Sequence, residues 1–208
     1  MQVVVLAHEW QKVQLGEVVG NIRWISDASA FAEQAKADAF VDLTFTATKD
    51  RLAILRALLP KPVIVNSVSE TLQETDVAFI RINGWNTFLS SSIWEAACSN
   101  EASRQKGGII LALFNRKAEW LPDTPGFVTA RVVSTIINEA FLALEEGVST
   151  KAEINTAMKL GTAYPYGPFD WAEKIGLQNV VALLQKLAQT KLRYTPAALL
   201  LEEASLLT

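Results

Sequence analysis

Hydrophobic positions follow two rhythms along this chain. Up to about residue 122 they come as short β-branched runs: residues 3–7 (VVVLA), 22–26 (IRWIS), 39–45 (AFVDLTF), then PVIVNS and DVAFIRI. Within the last of these, VAFI (77–80) predicts a buried strand. Runs of this length bounded by polar residues predict strands buried on both faces. Between them, ASAFAEQAKA, KDRLAILRALL and GGIILALFNR have helical composition. Asp50 supports the first turn of the second of these, and Pro60 and Pro62 stop it. Residues 91–97 (SSIWEAA) alternate as a strand does, and AEWL predicts a short extended piece. Strand and helix in turn predict a largely parallel sheet with helices packed on it.

After DTPGF (123–127) the spacing changes to three and four. Val133, Ile136, Ile137, Ala140 and Leu144 form one stripe of a helix over 127–146, which Gly147 stops. Thr150 with Glu153 predicts a capping box for KAEINTAMKL, ended by Gly161. TAYPYGPF predicts a turn-rich loop. Asp170 with Glu173 predicts a second capping box, for a short helix ending at Gly176. LQNVVALLQKLAQTKL continues as a helix. The last helix has Pro196 near its first turn and is apolar on nearly all sides. So apolar a helix needs a further surface, and a homodimer supplies one, as would docking on its own chain. The expected organisation is an α/β domain over 1–122, with a mostly parallel sheet, and an all-α domain over 123–208.

Composition narrows the function classes. Of 208 residues, 50% are hydrophobic and 20% charged, an ordinary globular mixture, and the net charge of -3 excludes a basic nucleic-acid surface. One cysteine, Cys98, and one histidine, His8, rule out an intrachain disulfide and a Cys/His metal cluster, and imply a reducing, cytoplasmic setting. No run is long enough for a membrane span, and the short QVVVLA run predicts a first strand, not a signal peptide.

Candidate chemistry sits at strand ends. The first strand runs into Ala7-His8-Glu9-Trp10-Gln11, with no glycine before Gly16. A dinucleotide loop needs glycines for close backbone approach to a pyrophosphate, and Glu9 brings the wrong charge. Asp27 lies about 20 residues on, where a ribose-binding acid would stand, but it also suits a helix cap. INGWNTF (82–88) ends another strand with two amides, Asn83 and Asn86. Trp85, Phe88 and Trp94 would serve either as the floor of a pocket or as packing.

The helical half carries the most specific pattern. DTPGFVTAR, NEAFLALEEGVSTKAEINTAMKLG and YPYGPFDWAEKIGL occur in order, and together they closely resemble the C-terminal domain of the 3-hydroxyacyl-CoA dehydrogenase family. The resemblance implies a Rossmann-like N-terminal domain, here shortened between Ala7 and Ala39, and a helical domain that dimerises. In that family a histidine takes a proton as hydride passes to NAD, a glutamate orients the histidine, and a serine and an asparagine hold the substrate oxygen.

In VIVNSVSETL, Asn66 matches the family's Asn-Thr-Ser-Ser-Leu pattern, Ser67 replaces its threonine, and Val68, flanked by Ser67 and Ser69, falls at the serine. RINGWNTF aligns on Gly-Leu-His-Phe-Phe-Asn-Pro. Asn83 then takes the histidine's place, Asn86 matches the asparagine, and Glu95 matches the glutamate. Ala130 falls at the helical domain's catalytic asparagine, before a matching Arg131. The family positions are therefore Glu95 and Asn83 for catalysis, Asn66, Ser67, Ser69 and Asn86 for substrate, and Asp27 for a cofactor.

An amide cannot act as a base near pH 7. The expectation is a degenerate family member without dehydrogenase activity, needing no cofactor, that binds an acyl-CoA or other small ligand or assembles as a homodimer. The alternative is an active enzyme using NAD, with His8 or Glu95 as base. Glu95 would serve as a base or hydrogen-bond to Asn83, and the second is favoured.

Overall fold

The computed structural model describes residues 1–206. They form two compact units that divide between Phe127 and Val128. In the first, the strands are β1 (Gln2–Leu6), β2 (Asn21–Ile25), β3 (Ala39–Asp42), β4 (Val63–Asn66), β5 (Ile80–Ile82), β6 (Ile93–Ala97) and β7 (Lys117–Trp120). The helices are α1 (Glu9–Leu15), α2 (Ala30–Glu33), α3 (Lys49–Arg56), α4 (Leu72–Thr75) and α5 (Glu101–Ala112). Among the described residues, the seven strands make one sheet in the order β2-β1-β3-β4-β5-β6-β7. The first five are parallel. β6 runs antiparallel to β5, and β7 is parallel to β6.

Alternation within each strand feeds two cores, because successive side chains leave opposite faces of a sheet. Val3, Val5, Val41, Ile64, Ile80 and Ile82 point to the side covered by Leu15, Ile110, Leu111 and Phe114. Val4, Leu6, Phe40, Val63 and Val65 point to the side covered by Phe31, Leu55 and Leu72. β1 lies between β2 and β3, so the connection changes direction there. The crevice where a doubly wound sheet takes ligands is therefore at the carboxyl ends of β1 and β3.

Some elements differ from the expectation. The VAFI strand begins only at Ile80, because Phe79 N–H is bonded to Val77 O in a turn. ASAFAEQAKA yields the single turn α2. The helix expected over GGIILALFNR starts earlier, at Glu101, capped by Asn100, whose side chain accepts from Ser103 N–H at 2.8 Å. Gly107 on that helix carries no Cβ because one would lie 2.9 Å from the Trp120 ring.

The second unit holds α6 (Thr129–Glu145), α7 (Lys151–Thr162), α8 (Pro168–Ile175), α9 (Leu177–Ala188) and α10 (Ala198–Ser205). The inward face of α6 is Ala130, Val133, Ser134, Ile137, Asn138, Ala140 and Phe141. Ile136 and Leu144, expected in that stripe, are half-buried at its edges. Thr150 and Glu153 make the expected capping box, with Glu153 Oε2 accepting from Thr150 N–H at 3.1 Å. Gly161 does not end α7, which runs to Thr162 and closes on Ala163 in the left-handed region. The second expected box does not form. Gly167 caps α8, Pro168 occupies its first turn, and Asp170 is the third helical residue, accepting from Gly167 N–H at 3.2 Å.

Gly167 is the close-packing point of YPYGPF. A Cβ there would lie 2.6 Å from the Cα of Asn155 on α7. Asn155 uses both ends of its amide on α8, donating to Asp170 at 2.8 Å and accepting from Phe169 N–H at 2.9 Å. Tyr164 and Tyr166 pack on Trp171, which lies inside.

Candidate functional site

At the carboxyl end of the parallel strands, side-chain amides bond in a row to the backbone of Leu43 and Gly84. The carbonyl of Leu43, just past β3, accepts from Gln11 Nε2 at 2.8 Å and from Asn66 Nδ2 at 3.1 Å. Asn66 also donates to Gly84 O at 3.2 Å and accepts from Gly84 N–H at 2.9 Å. Both of its N–H groups and one lone pair are thereby committed. Gly84 is required by this contact, since a Cβ would meet Asn66 Cγ at 2.8 Å. The row ties α1, β3, β4 and the turn after β5 together.

Gln11 is 2% exposed, and its bond to Leu43 O crosses the β1/β3 crevice. Glu9 stands in the first turn of α1, beside the exposed cap residue His8. A dinucleotide's pyrophosphate needs unoccupied N–H groups and no nearby carboxylate. The residues at this crevice do not fit that group. Asp27, the ribose candidate, accepts from the backbone and hydroxyl of Ser29 at 2.8 and 2.5 Å, and these bonds hold its carboxyl below the usual carboxylate range.

Asn83 and Glu95 meet as the sequence reading favoured. They extend the β5–β6 ladder by one pair, Asn83 N–H donating to Glu95 O at 3.1 Å. On the side chains, Asn83 Nδ2 donates to Glu95 Oε2 at 3.0 Å. An ionised carboxylate only accepts, so this bond sets which end of the amide faces it. The amide oxygen accepts from Trp85 N–H at 3.4 Å, and the residue is 2% exposed. An imidazole in this place would donate one N–H to Glu95 and keep a basic nitrogen. Asparagine keeps the donation and has no such nitrogen.

The other positions are structural in their contacts. Asn86 Oδ1 accepts from Gln14 Nε2, and Gln14 Oε1 accepts from Thr87 N–H at 3.1 Å, which pins the turn to α1. Thr87 has φ 81, a value proline cannot adopt, so the turn departs here from the Asn-Pro pattern of the alignment. Ser67 donates to Glu70 O at 2.9 Å, Ser69 is half-buried beside it, and Val68 is buried. Ala130 is fully buried on α6. Trp94 is core rather than pocket floor: it stacks on Phe114 with centroids 6.0 Å apart, and its indole donates to Leu89 O. Trp85 is buried and Phe88 half-buried.

Sequence reading missed two buried charges. Arg81 is fully buried on β5, and each of its N–H directions is used. Nε donates to Ser67 O and Nη2 to Val68 O, both at 3.0 Å, while Nη1 pairs with Asp123. Thr124 O and the Phe127 ring complete its surroundings. Asp123 in turn accepts from Leu72 N–H at the start of α4. Burial pulls the guanidinium pKa down, opposed by Asp123. Asp42, at the end of β3, is buried against Arg51 at 2.8 Å, and burial raises its pKa more than Arg51 lowers it. The available signal was a lone charge inside an apolar strand run. A strand covered on both faces leaves no solvent side for it, so a partner is required.

Comparison with known proteins gives these contacts a context. Residues 126–205 match the model of the 3-hydroxyacyl-CoA dehydrogenase C-terminal domain. The chain is 37% identical over 117 residues to 3-hydroxyadipyl-CoA dehydrogenase of Escherichia coli strain K12, a match covering 55% of this chain and 25% of that protein. It is 24% identical over 193 residues to 3-hydroxybutyryl-CoA dehydrogenase of Clostridioides difficile, covering 86% of this chain and 68% of that one. Its fold superposes on (S)-3-hydroxybutyryl-CoA dehydrogenase from Ralstonia eutropha with TM-score 0.74 at 21% identity, over 89% of this chain and 70% of the other. Residues 126–205 are therefore a 3-hydroxyacyl-CoA dehydrogenase C-terminal domain, preceded in the chain by a mostly parallel Rossmann-like sheet.

Proposed function

We propose that this chain is a family member without dehydrogenase turnover, which holds an acyl-CoA or other small ligand or assembles as a homodimer through its helical unit. The observation that carries the reading is the Asn83–Glu95 pair. The position aligned with the family's base is an amide that donates to the glutamate. Hydride transfer from a hydroxyl-bearing carbon needs a group that removes the hydroxyl proton in the same step. The crossing of the β1/β3 crevice by Gln11 supports the same conclusion for NAD, for which no role is expected.

Two of the relatives carry the names 3-hydroxyadipyl-CoA and 3-hydroxybutyryl-CoA dehydrogenase, which supports an acyl-CoA as the ligand class. Mixing the protein with acetoacetyl-CoA and NADH tests the reading. The expected outcome is no steady NADH consumption. Steady consumption that Glu95→Gln abolishes would establish the alternative, an active NAD-dependent enzyme with displaced groups. A thermal shift with acetoacetyl-CoA alone separates ligand holder from pure assembly, because a ligand of the folded state raises its stability.

The homodimer rests on the outer face of the helical unit. No residue of α7 is buried, and Leu160 on it is 82% exposed. A nearly nonpolar groove of ≈ 230 Å³ runs between Ile136, Ala143, Ile154 and Met158. An exposed apolar groove of this kind, with Glu139 at its edge, supports an interaction surface. Sedimentation at micromolar concentration should give a dimer, and Met158→Glu a monomer. A monomeric parent chain would overturn this part of the reading. Among the described residues no helix is long and apolar enough to cross a membrane. A cytoplasmic setting is part of the proposal.

A further inference from the structure

The helical unit contains a second cavity, of ≈ 290 Å³, at the meeting of α6, α8, α9, α10 and the start of α7. Its apolar walls include Phe141, Phe169 and Leu177. The two phenyl rings stand edge to face with centroids 5.0 Å apart. The ammonium of Lys151 lies over both rings, 5.5 Å from the Phe141 centroid and 5.4 Å from that of Phe169. It also bridges both oxygens of Glu203 at 2.6 and 2.7 Å. Two π faces and a carboxylate converging on one ammonium are the elements of an aromatic cation site.

Charge says which ligand such a cavity favours. Lys151 and Glu203 neutralise each other. Glu173 lines the same cavity, and no ion pair among the described residues takes up its carboxylate. The cavity is therefore left with one negative charge over an apolar floor. A ligand carboxylate would meet the net negative charge left by Glu173, whereas a ligand ammonium that takes the place of Lys151 would meet Glu173, Glu203 and two ring faces. The volume is near the lower end of small-molecule pockets, which suits one ring and a short amine tail.

We propose that this cavity is a binding site for small arylalkyl or alkyl ammonium compounds, and that Lys151 occupies the cation position until such a ligand displaces it. The site goes beyond the family's reaction, since it lies wholly within the helical unit and uses none of the strand-end residues. Occupancy would release Lys151 from Glu203 and so loosen the tie between α7 and α10.

Calorimetric titration of the full chain with phenethylammonium tests this, with phenylpropionate as the same body carrying the opposite charge. Saturable binding of the ammonium alone is expected. Lys151→Ala should tighten it about tenfold by removing the internal competitor, at roughly 1.4 kcal/mol per tenfold change. Glu173→Gln, an exposed and structurally mild change, should weaken it severalfold. Phe169→Leu should abolish it, with circular dichroism reporting whether that variant folds. Absence of saturable ammonium binding by both the parent chain and Lys151→Ala would overturn the proposal. So would phenylpropionate binding as tightly as phenethylammonium, or unchanged ammonium affinity in Glu173→Gln.

Discussion

Each unit contains an asparagine clasped against a glycine, and the two clasps differ in an instructive way. In the helical unit Asn155 lies on Gly167, with its amide bonded to Asp170 and Phe169. In the α/β unit Asn66 lies on Gly84, with its amide bonded to Gly84 and Leu43. A Cβ on Gly167 would strike the Asn155 amide and, behind it, backbone, the Cα of Asn155 at 2.6 Å. A Cβ on Gly84 would strike only side-chain atoms of Asn66, the nearest at 2.8 Å. The first clasp fixes how closely two helices approach. The second is a local closure between the Asn66 amide and the Gly84 backbone. The first sits within the matched family domain; the second sits at a position that the alignment pairs with a phenylalanine. So the clasp in the helices sets a backbone approach, while the strand ends are closed by polar groups that satisfy one another.

The largest expected effect tests whether those strand ends are structural. Asp123→Ala leaves the fully buried Arg81 without its partner and should cost about 3–5 kcal/mol in urea unfolding. A loss below about 1 kcal/mol would show that the pair is dispensable, and would break the view of this end as a closed polar framework. Next, Gly167→Ala should cost about 3 kcal/mol, since overpacking against backbone forces a helix to move. Asn155→Ala should not rescue it, because the Cα that is struck remains. Gly84→Ala should cost about 1–3 kcal/mol, and the double variant with Asn66→Ser should recover much of it, read as a coupling energy in a double-mutant cycle. Equal rescue in both clasps would erase the distinction between them.

The smallest effect concerns the cap of α7. Thr150→Ala should cost about 1 kcal/mol. The Glu153 carboxyl is held below its ordinary value of 4.5 by hydrogen bonds from Ser149 and Thr150. A depressed carboxylate stabilises the fold fully above its unfolded value, and that contribution disappears as pH falls through the lower folded value. Glu153→Gln should therefore lower the melting temperature at pH 7 and leave it unchanged at a pH below both values. A loss that persists under strongly acidic conditions would assign the effect to packing.

Local chemistry made much of this readable. The Thr150–Glu153 box, the stop at Gly147 and the presence of β1 and β2, each lying one residue earlier than expected, depend on neighbours a few residues apart. The Asn83–Glu95 bond was legible for another reason, since the family register sets the two residues at the positions of a mutually bonded pair. Asp170 was misread because Asp-x-x-Glu satisfies the capping pattern by letter. Pro168 and Gly167 start α8 earlier, and a proline in the first turn is the stronger geometric signal. VAFI was misread because apolar content alone does not distinguish a strand from a buried turn leading into one.

From its sequence alone this chain determined the alternation of strands and helices, the change to an all-helical second part and much of which faces are apolar. These follow from periodicity, capping and side-chain chemistry, which act over a few residues. The partners of its polar groups were decided by tertiary structure. That Leu43 O collects both Gln11 and Asn66, that Arg81 finds Asp123, and that Lys151 settles over two phenyl rings depends on which distant segments the sheet order and helix packing bring together. A hydrogen bond or ion pair is specified by a few tenths of an ångström, and only the assembled fold sets distances that finely.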